Sequence, residues 1–137
     1  SIPYPLRNRM LIRKITKADT DVKKANWELG WYSANFREFG SCQLIADDIP
    51  PQLLVSGIAE GAKASKATRI IVTATDNNEA IRNFRAELNG KWLMFSQKGR
   101  TFTYKFDENC LPGNHLLKVS VEDEAGNITI KNIRFTR

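Results

Sequence analysis

The chain is poor in the residues that build most catalytic centres. It has a single histidine, His115, in 137 residues. A zinc site draws on several imidazoles or thiolates, with carboxylates in support. One imidazole cannot supply that set. His115 follows "LPGN" at the start of an apolar run and reads as an edge or loop residue. There are two cysteines, Cys42 and Cys110, and they form no C-x-x-C pair. That excludes a zinc ribbon and a thioredoxin-like motif. Whether Cys42 and Cys110 pair with each other stays open, since a disulfide needs an oxidising compartment. No G-x-x-x-x-G-K-[ST] loop, G-x-G-x-x-G turn or G-x-S-x-G elbow occurs. The common phosphate cradles and the strained serine elbow are therefore missing. No apolar run approaches the roughly 18 residues of a membrane helix, and no secretory core is visible. The first residue is Ser1, not Met, which reads as a processed or truncated start.

What is present is a globular composition, 42% hydrophobic and 26% charged, which is too apolar for a disordered chain. The net charge of +6 favours an acidic partner such as an anionic wall polymer. The basic residues are dispersed, however. The densest cluster, "RNRMLIRKITK", alternates Met10, Ile12 and Ile15 with Arg and Lys. It reads as a strand with one wet face, and no nucleic-acid patch is expected.

Pro50 and Pro51 in "ADDIPPQL" cannot donate ladder hydrogen bonds and bias their predecessors toward extended geometry. They place a boundary between residues 1–46 and 47–137. Downstream, short alternating runs recur: "QLLVSGI", "ATRIIVTATD", "IRNFRAELNGKWLMF", "RTFTYKFD", "NHLLKVSVED" and "NITIKNIRFT". Turn clusters separate them: "SGIAEGAKAS", "DNNEA", "QKG", "ENCLPGN" and "DEAGN". Asn89-Gly90 marks a tight hairpin, because both residues tolerate positive φ. No amphipathic helix appears in 47–137. The pattern predicts an all-β chain with an immunoglobulin-like antiparallel sandwich at 47–137. Residues 1–46 form a partial β segment, either the end of a preceding module or strands added to the sandwich. Its aromatics, Trp27, Trp31, Tyr32, Phe36 and Phe39, are expected to be buried in a small second core or against the main sheet.

Two arrangements point to binding. If the strands run antiparallel in order, alternate strand ends meet at one pole of the sandwich. Parity then gathers Asp47, Asp48, Asp76 and Asp123 there. Clustered carboxylates suit a hard cation such as calcium. The simpler role for each is to accept backbone N–H bonds in its own turn. Separately, Trp27, Trp31, Tyr32 and Trp92 are candidates for stacking on sugars. For glycoside hydrolysis two carboxylates must converge, and Glu28, Glu38, Glu60, Glu79, Glu87 and Glu108 are scattered with nothing to mark a pair.

The stretches "REFGSCQLIADDIPPQL", "TATDNNEAIRNFRAELNGKWLMF" and "RTFTYKFDENCLPGNHLLKVSVEDEAGN" occur here in that order. Together they resemble the C-terminal immunoglobulin-like region of exported lysostaphin-type zinc metallopeptidases of the Bacteroidetes. The resemblance covers roughly residues 36 to 137. That family's zinc site uses H-x-x-x-D and H-x-H elements, and neither occurs here, so no catalytic or zinc residue carries over. The resemblance implies a non-catalytic accessory module in the periplasm or cell envelope. Its partners would be the rest of the parent peptidase chain and cell-wall polymer. A carbohydrate- or peptidoglycan-binding module is the first alternative and an independent hydrolase the second.

Overall fold

The computed structural model describes residues 2–78 and 80–137; Ser1 and the candidate carboxylate Glu79 lie outside the described residues. A 3-10 turn, Tyr4–Arg9, leads into β1 (Met10–Ile15), β2 (Thr20–Lys24), β3 (Asn26–Glu28), β4 (Trp31–Ser33) and β5 (Ser41–Ala46). Then come β6 (Gln52–Ser56), β7 (Ala62–Lys63), β8 (Arg69–Thr75), β9 (Ile81–Leu88) and β10 (Lys91–Trp92). The last four are β11 (Ser96–Lys98), β12 (Thr101–Lys105), β13 (Asn114–Asp123) and β14 (Ile128–Thr136).

The chain is all-β. Strands β6 to β14 form a sandwich of two sheets, ordered β11-β12-β8-β6 and β10-β9-β13-β14-β7. Pairing is antiparallel except between β14 and the short β7. With β6 as strand A, β7 as A′ and β14 as G, this is the immunoglobulin order, ABED against a GFC sheet. Period-two patterning builds it. Leu117, Val119 and Val121 of β13 point inward and are buried, as are Ile70, Val72 and Ala74 of β8. The rings of Phe84 and Phe102 stack between the sheets with centroids 3.8 Å apart. Truncating one buried valine of this layer, such as Val119→Ala, would cost about 2 kcal/mol through lost burial and the cavity left behind.

The Asn89-Gly90 hairpin forms as the sequence predicts, with φ of 51° and 81°. Two of the turn clusters contain strand residues instead: β7 lies within "SGIAEGAKAS", and β11 runs into "QKG". Two or three residues carry no readable alternation. The neighbouring chain makes β7 a strand, as Gly61 and Ala64 donate to the carbonyls of Arg134 and Thr136.

In the N-terminal segment β1 pairs with β2 and β5, and β3-β4 is a separate hairpin turning on Leu29 and Gly30. The aromatic residues do not form the expected core. Trp27, Trp31 and Phe39 are exposed, and Tyr32 and Phe36 are half-buried. The reason is geometric: three short strands and a hairpin make a single layer, with too little chain to cover it. The small core there is Met10, Leu11 and Ala25. The alternation expected in β1 also fails, since Met10 and Leu11 are both buried and Ile15 is exposed. The start of β1 adjoins the sandwich, where both sides of the strand are covered.

Candidate metal centre

The junction between the two β units is polar and closely bonded. Asp47 follows directly on β5, Asp76 follows β8 and Asp123 ends β13. One carboxylate oxygen from each lies within 4.8 Å of the others. Asp47 is 1% exposed and Asp123 0%. The fourth candidate, Asp48, is exposed and stands outside the group. Adjacent residues of an extended segment point to opposite sides, so burying Asp47 turns Asp48 to solvent. A β-bulge helps aim Asp123: the pairing of β13 with β9 shifts between Glu122 and Asp123, which faces Ile81.

Each aspartate also serves its own turn. The Ile49 N–H donates to Asp47 Oδ1 at 3.1 Å, and the Asn78 N–H to Asp76 Oδ2 at 2.9 Å. The Asn127 N–H donates to Asp123 Oδ1 at 2.8 Å, in a turn where Gly126 takes φ of 88°. Three asparagines then link the turns. Asn78 and Asn77 donate their amides to the two oxygens of Asp47, at 2.6 and 3.3 Å. Asn127 donates its amide to Asp123 Oδ2 at 2.7 Å and to the Asp47 carbonyl at 3.0 Å. These asparagines read from sequence only as turn formers. The stretches "DNN" and "AGN" hold the signal, but the partners lie on distant strands.

Two of the nearby cations hydrogen-bond to groups other than the three carboxylates, though Lys24 still feels the charge of Asp123. Arg13 donates to Asn78 Oδ1 at 2.6 Å, and the Lys24 ammonium to the carbonyls of Ala125 and Asn8. Burial, with Arg9 close by, lowers the Lys24 pKa from its ordinary value. Asp76 is the odd member. Its Oδ1 is shielded from water and meets no donor at hydrogen-bond distance and angle among the described residues. Burial raises its pKa above the usual carboxylate value; the backbone N–H groups of Asn78 and Ala80 oppose this, and the Asp47 and Asp123 carboxylates add to it. Three carboxylates with no imidazole or thiolate make an all-oxygen donor set. That chemistry fits calcium or magnesium and not zinc or copper. Backbone carbonyls and water would supply the remaining ligands of a six- to eight-coordinate ion.

The other candidates do not assemble. Trp27 faces Tyr32 across the β3-β4 hairpin, whereas Trp31 faces Glu28. Trp31 therefore lies on the opposite face from the Trp27–Tyr32 pair. Trp92 is on the sandwich, so the four aromatics make no common row. His115 is held at both ring nitrogens. Asn89 Oδ1 accepts the Leu116 N–H, which orients the Asn89 amide so that its NH2 donates to His115 Nδ1 at 2.9 Å. Nε2 then carries the proton and donates to the Leu111 carbonyl at 2.5 Å. Cys42 is exposed and Cys110 buried, both as free thiols. Among the described residues no helix is long and apolar enough to cross a membrane.

No family model matches the sequence, and no curated protein matches it. Several solved structures match the chain, two of them as follows. One is the endo-beta-1,4-mannanase from Thermotoga petrophila, with a TM-score of 0.53 and 10% identity over 66% of this chain. The match spans 20% of the mannanase, and at that identity it concerns the fold alone. The other is CopC from Methylosinus trichosporium OB3b, with a TM-score of 0.47 and 16% identity, covering 63% of this chain and 91% of that one.

Proposed function

We propose that the chain is a non-catalytic accessory module of an exported cell-wall peptidase, working in the periplasm or envelope. In this reading a calcium-class cation closes the junction between its N-terminal sheet and its sandwich. The observation that carries the cation is Asp76 Oδ1, shielded from water, without a hydrogen-bond partner among the described residues and close to the buried carboxylates of Asp47 and Asp123. An unsatisfied acceptor in that setting is costly unless something positive meets it. The accessory role is supported by the resemblance of residues 36 to 137 and by His115, whose ring nitrogens hold a loop in place. The net charge of +6 suits attachment near anionic wall polymer.

The cation would act mechanically. Asp47 leads directly out of the N-terminal sheet, and its N–H donates to the Arg9 carbonyl. An ion bridging Asp47 to Asp76 and Asp123 would fix that sheet against two strands of the sandwich. A preceding module would then be held in one orientation. Hydrogen exchange tests this. The Asp47 and Ala25 amides, bonded within the N-terminal segment to Arg9 and Met10 beside the junction, should exchange at least about tenfold more slowly in calcium than in chelator, the signature of a local opening made rarer. Equal exchange in the two conditions would reject the cation lock. Turnover of purified cell wall by this chain alone would reject the non-catalytic role.

A further inference from the structure

Trp92 belongs to no core. It is 62% exposed on the outer face of the five-stranded sheet. Its cross-strand partner is Glu87, which pairs in turn with Lys118. One row further along, Arg85 lies opposite Ser120, and beyond it Asn83 lies opposite Glu122. Cross-strand partners share a face. The residues between them, Ala86, Leu88, Leu117, Val119 and Val121, are buried, so this set points outward. Three strands about 4.8 Å apart and three rows about 7 Å apart give a platform roughly 10 by 14 Å.

The polar groups on it are pre-arranged. Arg85 Nε donates to Glu87 Oε1 at 2.7 Å, and Asn83 Nδ2 to Glu122 Oε2 at 2.7 Å. Each pairing fixes two planar groups on the indole's face of the sheet and engages one oxygen of the acid. Trp92, Asn83, Arg85 and Glu122 line a shallow depression of about 400 Å³, with the exposed Ile128 at its apolar side. The charges balance, with Arg85 and Lys118 against Glu87 and Glu122, on a chain whose net charge is +6. A nucleic acid or anionic lipid surface would be met by excess positive charge. A protein interface core would be depleted of charge. Neither describes an indole that shares its face with paired, planar hydrogen-bonding groups of balanced charge.

We infer that this face binds a neutral, hydroxyl-rich glycan chain, with Trp92 as the stacking platform. A pyranose ring presents axial C–H groups to the electron-rich face of an indole, and its equatorial hydroxyls point sideways. Glu87 and Glu122 accept from those hydroxyls, and Arg85 and Asn83 donate to them. The inference is independent of the junction cation, so the test is run both in calcium and in chelator.

The experiment is an NMR titration of the full chain with cellohexaose, chitohexaose and mannohexaose. At least one should shift the Trp92 indole N–H and the Arg85 amide, in both conditions. Trp92→Ala should weaken that binding at least about tenfold, the scale of losing one stacking anchor. Trp31→Ala, on the exposed N-terminal hairpin, should leave it unchanged. Absence of shifts at about 10 mM of all three sugars, far weaker than a useful site, would overturn the inference. So would equal loss in Trp31→Ala, or shifts at Trp92 produced only by DNA or by phosphatidylglycerol vesicles.

Discussion

Asp76→Asn separates a cation site from a self-contained hydrogen-bond cluster. The substitution keeps the shape and keeps an oxygen to accept the Asn78 N–H. It removes one of three charges whose oxygens lie within 4.8 Å of one another. At that separation a like-charge pair costs about 3.5 kcal/mol at an effective dielectric of about 20. Asp76 is partly open to solvent and Lys24 is close, so the net relief is smaller, about 1–2 kcal/mol. A chain of this length shifts its Tm about 3.5 °C per kcal/mol. In chelator, Asp76→Asn should therefore melt about 3–7 °C above wild type. Calcium should reverse the order. A site filled about a hundredfold above its Kd adds about 2.7 kcal/mol, or roughly 9 °C, to wild type alone. The pH dependence has a definite sign. The folded-state pKa of Asp76 is raised, so its contribution to stability is full below the ordinary carboxylate value of about 3.9 and is lost as pH rises through the raised value. In chelator, the melting gap between variant and wild type should narrow on acidification through that window. Differential scanning fluorimetry in EDTA and in calcium measures all of this. A wild type blind to calcium, with a variant less stable than wild type in EDTA, would refute the reasoning and leave the aspartates as turn residues only.

Three further outcomes follow from the same geometry. Asn127→Ala strips donors from the Asp47 carbonyl and the Asp123 carboxylate, both buried; urea unfolding should show a loss of about 2–4 kcal/mol from the unsatisfied acceptors. Gly57→Ala should destabilise far more than Gly30→Ala. Both have positive φ, but a Cβ at Gly57 would meet the Arg69 carbonyl oxygen at 2.1 Å while Gly30 faces open space; the difference should exceed the roughly 1–2 kcal/mol of left-handed backbone strain that both share. The Tyr104 hydroxyl bonds Asp107 and holds its pKa below the usual carboxylate value. The resulting stability is present above that usual value and lost as pH falls through the depressed one; Tyr104→Phe should flatten the acid limb of a pH–stability curve, and an unchanged limb would show that the pair does not contribute.

The sandwich is legible in the sequence because its strands are long enough to alternate and its turns carry Gly, Asn and Asp where positive φ or side-chain bonds are needed. Parity along those strands also suffices to bring Asp47, Asp76 and Asp123 to one pole. Three things are not legible. Asp48 leaves the group because an extended segment alternates, and sequence alone does not say which of two adjacent acids faces in. Asn77 and Asn78 bind the Asp47 carboxylate and Asn127 the Asp47 carbonyl, 30 or more residues away, so no local pattern reveals those bonds. The exposed Trp27, Trp31 and Phe39 defeat the expectation that aromatics are core, because 46 residues make one layer and leave one side uncovered. Trp92 is a stacking candidate from sequence, but its neighbours Glu87 and Lys118 emerge only from the strand register.

The junction claim is tested most directly by isothermal titration calorimetry of chelator-stripped protein with calcium. One ion should bind per chain, and Asp76→Asn and Asp123→Asn should each abolish the binding signal. A flat titration of the folded wild-type chain would contradict the claim, as would binding that survives both substitutions.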